Sequence, residues 1–248
     1  MGNLQLGSCQ PTGADRKDAS NRIQEALSFS LGLLCSVVLA IGWAACRAAP
    51  NPIPLPKTTP STVHSPTRAT LVKEGLEKLA AGRPEEALLD AEKAIALDAL
   101  SAEAYYLRAR AAHDIGLKKE ALKDYDKAIA INPRFTKALV NRALIKGGLG
   151  NLKGALTDLN AAIAIDPTFA TAYSNRGVTR GALNDRKGAV SDFNKAVNLN
   201  PRYADAYRNR GITREMMGDL NGACADWKIA SSLGQKDTQA WYIQQCKL

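Results

Sequence analysis

The chain is predicted to be an all-α, right-handed superhelical solenoid of five helical hairpins closed by one further helix. The prediction rests on period, spacing and composition. Pro133, Pro167 and Pro201 lie 34 residues apart; Ala87, Ala121, Ala155, Ala189 and Ala223 keep that spacing, and so do Ala94, Ala128, Ala162, Ala196 and Ala230. Three columns on one period mark a stack in which each unit buries its apolar face against its neighbour. Hydrophobic residues make up 46% of the chain and aromatics only 6%, with alanine supplying much of the apolar count. Close-packed helices suit that mix better than a β-sandwich, which needs β-branched and aromatic residues.

Five units follow from the period: 68–101, 102–135, 136–169, 170–203 and 204–237. Counting each from 1, the first helix is expected over positions 1–14 and the turn near 15. Positions equidistant from the turn face each other in an antiparallel hairpin. Positions 8 and 20 are such a pair: Gly75/Ala87, Ala109/Ala121, Ala143/Ala155, Gly177/Ala189 and Gly211/Ala223. Small residues on both sides let the backbones approach closely. Larger residues at positions 4 and 24, such as Tyr105 with Tyr125 and Tyr173 with Phe193, are expected to fill the open end. Proline at position 32 is expected to end the second helix and start the next unit.

A second facing pair carries charge. Position 7 is Arg108, Arg142, Arg176 and Arg210; position 23 is Asp124, Asp158, Asp192 and Asp226. A partly shielded Arg–Asp ion pair is expected inside each of these hairpins. Reading the arginines as a basic ligand ladder leaves the aspartates unexplained. The first unit breaks the pattern, with Glu74 facing Asp90 and Ala99 in place of proline, and is expected to be the loosest, an N-terminal cap.

These units resemble tetratricopeptide repeats, whose pattern combines an early aromatic, a small residue four later, Ala-x3-aromatic in the second helix and a closing proline. The fit is clearest over 170–203, with Tyr173, Gly177, Ala189, Phe193, Ala196 and Pro201. Residues 238–248 begin like a sixth first helix, Ala240-Trp241-Tyr242, and are expected to cover the open end of the stack. Cys224 sits in a column otherwise filled by Leu88, Leu122, Leu156 and Val190 that packs on the next hairpin, so it is expected to face this cap and Cys246. In an oxidising compartment the two would form a disulfide; the alternative is two reduced thiols, one a small core residue.

The N-terminal part has another character. Residues 1–22 are polar, without an apolar period. Residues 23–47 contain 21 uncharged residues, 26–46, enough helix to span about 30 Å of bilayer core. Three fates stay open: a retained anchor, a cleaved signal near Ala44 to Ala49, and lipidation at Cys46. Trp43-Ala44-Ala45-Cys46 resembles a bacterial lipobox but has Trp where that motif has Leu. N-myristoylation is disfavoured because Leu6 stands where Ser or Thr is wanted. Arg16, Lys17 and Arg22 precede the apolar run, whereas only Arg47 and Lys57 follow it before the repeats. That bias puts the N-terminus inside and the repeats on the extracytoplasmic side, periplasmic or lumenal. Residues 48–67 hold six of the chain's eleven prolines and read as an extended spacer. Together with the repeats, this resembles a membrane-targeted protein of bacterial type.

The resemblance implies a concave groove lined by first helices, with positions 2, 5, 6, 9 and 12 pointing in, and a protein or peptide partner. The residues implied are Tyr106, Arg110, Val140, Asn141, Leu144, Ser174, Asn175, Val178, Arg208, Asn209 and Ile212. Asn141, Asn175 and Asn209 share position 6, where a row of amides would meet the backbone of an extended peptide. A scaffold for a membrane or envelope complex is the function expected. The alternative is a binder of anionic polymer, nucleic acid or cell-wall glycan, through the net charge of +9. The charge is dispersed and aromatics are few, so nucleic acid is not expected as a partner. No activated serine, catalytic carboxylate pair, zinc-site spacing or phosphate loop is visible; no enzyme, metal or cofactor is expected. Gly147-Gly148 and Gly150 fall at a hairpin turn, not between a strand and a helix.

Overall fold

A stop signal at each hairpin turn organises the chain. The computed structural model describes residues 66–246, all within the unit Thr62–Leu248. Eleven helices follow one another among the described residues: α1 (Arg68–Ala80), α2 (Pro84–Leu97), α3 (Ala102–Ile115), α4 (Lys118–Ile131), α5 (Thr136–Gly148), α6 (Leu152–Ile165), α7 (Ala170–Ala182), α8 (Arg186–Leu199), α9 (Ala204–Glu215), α10 (Leu220–Ser232) and α11 (Lys236–Cys246). Odd-numbered α1 to α9 are the first helices of five hairpins. Between the two helices of every hairpin one residue is left-handed, always at position 15: Gly82, Gly116, Gly150, Asn184 and Gly218. Asn184, with φ 65°, is the exception that the rule for left-handed sites allows, its short polar side chain tolerating the strain. The polar N-terminus, the apolar segment with Cys46 and nearly all of the proline-rich stretch lie outside the described residues. No described helix is long and apolar enough to cross a membrane.

Caps set the start of the later second helices. The Asn151, Asp185 and Asp219 side chains accept from the backbone N–H of Gly154, Gly188 and Gly222 at 2.9, 2.9 and 2.8 Å. Glycine leaves room for each capping side chain, which a Cβ there would displace.

Proline follows the end of three second helices as expected, with an extended residue before it, but it is not the signal that all of them share. α2, α4, α6 and α8 all stop at position 30, and α2 does so before Ala99. The shared signal is Asp98, Asn132, Asp166 and Asn200 at position 31, whose side chains accept from the N–H two residues on. These Asx turns compete with the helical ladder for the chain.

The small pairs lie at the core of each hairpin, with Ala87, Ala109, Ala121, Ala155, Ala189 and Ala223 fully buried. Beside them position 24 supplies the bulk: Tyr125, Leu159, Phe193 and Trp227. Glycine at 177 and 211 has a further reason. An added Cβ would lie 2.8 Å from the Phe193 ring and 2.5 Å from the Trp227 indole. Tyr105 packs against the core cluster that holds Tyr125. Tyr125 packs against Tyr106 at 6.0 Å, while Tyr105 lies beneath the Arg108 guanidinium at 5.4 Å. Tyr173 and Tyr207 likewise lie beneath Arg176 and Arg210.

The closing helix starts at Lys236, two residues earlier than the sequence suggested. Cys224 and Cys246 are joined in a disulfide, with their Cα atoms 5.7 Å apart. Trp241 meets Trp227 edge-on at 5.7 Å, and Arg208 spans both elements, donating to Asp237 at 2.7 Å and lying over the Trp241 ring.

Two outcomes are expected. Ala189→Leu overpacks the α7–α8 hairpin and lowers unfolding free energy by about 1–3 kcal/mol in urea titration. Reducing Cys224–Cys246, which closes a 22-residue separation, removes about 3 kcal/mol of loop-closure stabilisation. Hydrogen exchange then rises in α11 and α10 while α3 to α6 stay protected; uniform exchange across all helices would disprove a local role.

Candidate peptide-binding groove

The groove is shaped first by the ion pairs that lock hairpin to hairpin. Arg142 grips Asp158 through Nε and Nη2 at 2.8 and 2.6 Å. Arg176 and Asp192 repeat the bidentate geometry, as do Arg210 and Asp226, and Arg108 and Asp124. The third guanidinium nitrogen reaches back to the preceding hairpin: Arg142 to Asp126, Arg176 to Asn160 and Arg210 to Asn194, at 2.6, 2.8 and 2.8 Å. A second cation, at position 11, completes the cage. Lys146, Arg180 and Arg214 donate to Asp158, Asp192 and Asp226, each at 2.8 or 2.9 Å. Each of these aspartates is buried. Hydrogen bonds to Asp124 and Asp192 hold the Arg108 and Arg176 guanidinium groups above their ordinary range.

The first unit differs from expectation. Glu74 does not face Asp90; Lys78, at position 11, takes that buried carboxylate and Glu74 is exposed. A carboxylate cannot compensate a carboxylate, so the one cation within reach does. Positions 11 and 25 are both legible as 34-residue columns. Position 25 escapes a reading confined to one hairpin because it acts across the joint.

Of the residues implied for the groove, the structure separates two sets. Position 5 does not line it. Tyr106, Val140 and Ser174 are 8, 2 and 2% exposed, in the seam between successive first helices. Tyr106 packs on Phe135 at 4.9 Å, and Arg208 occupies the equivalent seam against the closing helix. First helices approach closely enough that the side chain pointing at the next unit is covered by it. The amide row is also partly committed. Asn141 Nδ2 donates to the Tyr106 hydroxyl at 3.2 Å, and Asn209 Oδ1 accepts from Arg208 at 3.3 Å.

Position 9 does face outward. Leu144 and Val178 are 52 and 49% exposed, with Ile212 and Arg110 half-buried in the same row. Between α5 and α7 a cavity of about 310 Å³ opens, lined by Leu144, Gly148, Leu152, Asn175, Val178 and Ala182. Gly147 also lines it. Its floor is apolar and Asn175 supplies an amide. Sequence reasoning does not assign Gly147-Gly148, Leu152 or Ala182 to the groove. The signal that could have found them is the missing side chains one turn beyond Leu144. A larger hollow of about 460 Å³ lies over Val72, Leu76 and Ala80 of α1, bordering the first described residues. The α5–α7 cavity is open on one side and lies between helices in the middle of the stack. Among the described residues no three His, Cys, Asp or Glu side chains converge as metal ligands would.

Family comparison matches this geometry. Models described as tetratricopeptide repeat match residues 72–134 and 170–203, and one described as TPR repeat matches 148–184. The chain belongs to the tetratricopeptide repeat family. Among solved structures, a thermophilic TPR protein of Thermus thermophilus is 24% identical, with a TM-score of 0.62 over 73% of this chain and 100% of that one. Pseudomonas aeruginosa pilF is 21% identical, with a TM-score of 0.65 over 73% of this chain and 90% of that one. YrrB, described as a TPR protein with an unusual peptide-binding site, is 22% identical, with a TM-score of 0.55 over 72% and 91%. At these identities the likeness establishes the fold. Comparison with curated proteins finds no sequence relative.

Asp158→Ala is expected to leave Arg142 and Lys146 without their shared buried anion. The loss is about 3–5 kcal/mol, measured by chemical denaturation. A change below about 1 kcal/mol, the range of an exposed pair, would show the ladder to be ornamental.

Proposed function

We propose that the chain is a non-catalytic scaffold that holds an extended stretch of a partner protein along its first-helix face. The observation that carries this is the α5–α7 cavity, where half-exposed Leu144 and Val178 flank a surface opened by Gly147 and Gly148, with the Asn175 amide beside it. An apolar side chain of a peptide fits the floor. The amide satisfies one peptide group without reading its side chain. YrrB's described peptide-binding site, on a similar fold, supports the same use.

The ion-pair ladder favours this reading over an anionic polymer. Arg108, Arg142, Arg176, Arg180, Arg208, Arg210 and Arg214 are all engaged by the protein's own carboxylates. Cations so occupied are not free to neutralise a polyanion and displace its condensed counterions. The proposal includes tethering or export through residues 23–47, with the repeats on the extracytoplasmic side. The Cys224–Cys246 disulfide supports an oxidising compartment.

A photo-crosslinking residue at Val178 in cells tests the groove, with Lys195, exposed on α8, as the control site. Discrete protein adducts are expected from Val178 alone, and Leu144→Asp in the same chain is expected to reduce them at least about tenfold, the loss of an anchor contact. Equal adducts from both sites, or none from Val178, would refute the groove.

A further inference from the structure

The edge of the stack formed by the hairpin turns carries a row of apolar tips. Each hairpin reverses at position 15, and the residue just before it is apolar in four successive units: Ile115, Leu149, Leu183 and Met217. All four are exposed, and so are Leu117 and Met216 beside them. One exposed apolar side chain carries no meaning, but a column of them in register along one edge is an unpartnered stripe. The first unit, with Ala81 at this position, ends the row.

Cations that the ion-pair ladder does not use gather on the same edge. Lys118, Lys119, Lys153 and Lys187 follow the turns, all exposed and none in an ion pair among the described residues. Arg186 joins them, and its Nε is buried without a hydrogen-bond partner among the described residues. It lines a cavity of about 430 Å³ between the α7–α8 turn and the end of α9, together with Asn184, Lys187, Met216 and Met217. Asp185 lines that cavity too, but its carboxylate is committed. It accepts from the Gly188 N–H at 2.9 Å and lies 3.8 Å from Arg180 Nε. Asp219 is held likewise, 3.7 Å from Arg214 Nε, and the exposed Asp114, Glu120 and Glu215 belong to the second and fifth units. Free cations are therefore in excess in the middle of the edge, where Leu149 and Leu183 stand.

We infer that the turn edge from Ile115 to Met217 docks on the surface of an anionic phospholipid membrane, with the Arg186 cavity receiving a headgroup phosphate. Apolar tips set among lysines suit the boundary between headgroups and acyl chains: the tips enter it, while the lysine stems lie alongside and keep their ammonium groups at the phosphates. In the cavity the Arg186 guanidinium and the Lys187 ammonium donate to phosphate oxygens, and Met216 and Met217 meet the apolar part of the lipid. A second copy of the chain is a poorer occupant, because it brings the same cations against one another. The contact is made by the repeats themselves, whatever the fate of residues 23–47. It leaves the first-helix groove uncovered, so it stands apart from the peptide reading.

The full chain reconstituted into vesicles tests this, with a fluorescent residue built in at Leu183 and nitroxide-labelled phospholipid as quencher. Asn198, exposed at the far end of α8, is the control site. Quenching at Leu183 is expected to be at least about threefold stronger in phosphatidylglycerol–phosphatidylcholine vesicles than in phosphatidylcholine alone, and Asn198 is expected to show no such difference. Lys153→Glu with Lys187→Glu lowers the docked-to-free ratio at least about tenfold, the scale of two reversed charges at an anionic surface. Arg186→Gln, with its melting temperature kept, lowers it at least about threefold. Quenching that is absent at Leu183, equal at the two sites, equal in the two kinds of vesicle or indifferent to the double charge reversal overturns the docking, whatever protein adducts this edge gives in cells. An Arg186→Gln chain that docks like wild type overturns the phosphate cavity.

Discussion

A buried aspartate caged by two cations is the interaction on which the rest of this solenoid depends. Asp158, Asp192 and Asp226 each receive a bidentate arginine from position 7 and a lysine or arginine from position 11 of their own hairpin. Alanine-rich helices of 12 to 14 residues, as the hairpins here have, offer little side-chain volume to fix their mutual rotation. A planar guanidinium held at two nitrogens does fix it, because the fork tolerates little rotation about the carboxylate. The same guanidinium then reaches across to position 25 of the hairpin before it, so one side chain sets both the angle within a unit and the angle between units. Curvature of the inner face follows from these two angles.

This arrangement also explains how a chain of net charge +9 presents so little free positive charge where its repeats join. The arginines of the ladder are structural. Arg110, at position 9, lies outside the ladder, which uses positions 7 and 11. In the second unit, position 11 is alanine, so Asp124 is held by Arg108 alone. The ladder thins there. At the other end the cap is knitted differently: Arg208 leaves the groove for Asp237 and Trp241, and a covalent bond replaces the missing hairpin. A lone 11-residue helix is marginal by itself, and a cross-link adds stability that packing of so short an element supplies poorly.

Much of the fold was legible from a single chain because repetition multiplies weak signals. One pair of small residues at that spacing says little, but five in register, three Gly with Ala and two Ala with Ala, define a hairpin. The Arg–Asp pairing at 16 residues was readable for the same reason, and Cys224 was readable as the odd member of a leucine column. What was misread concerns the joints. Pro133, Pro167 and Pro201 drew attention as helix stops, yet Asp98 with no proline after it shows that the Asx side chain at position 31 is the signal common to all four joints. The site was less legible than the fold. Asn141, Asn175 and Asn209 look equivalent in sequence, but Asn141 is committed to Tyr106 and Asn209 to Arg208, leaving Asn175 on the cavity.

The sequence by itself determined the period, the two-helix unit, the small residues at the helix contact and the charge pairs facing within each hairpin, since all of these are relations inside 34 residues. Only the tertiary structure decided which first-helix residues are covered and which are free. Exposure at positions 5, 6 and 9 depends on the distance and rotation between neighbouring units, and that is set by contacts reaching from one repeat to the next. Tyr106 at position 5 and Leu144 at position 9 lie within one helical turn of the same register, yet one is sealed in a seam and the other stands half in solvent.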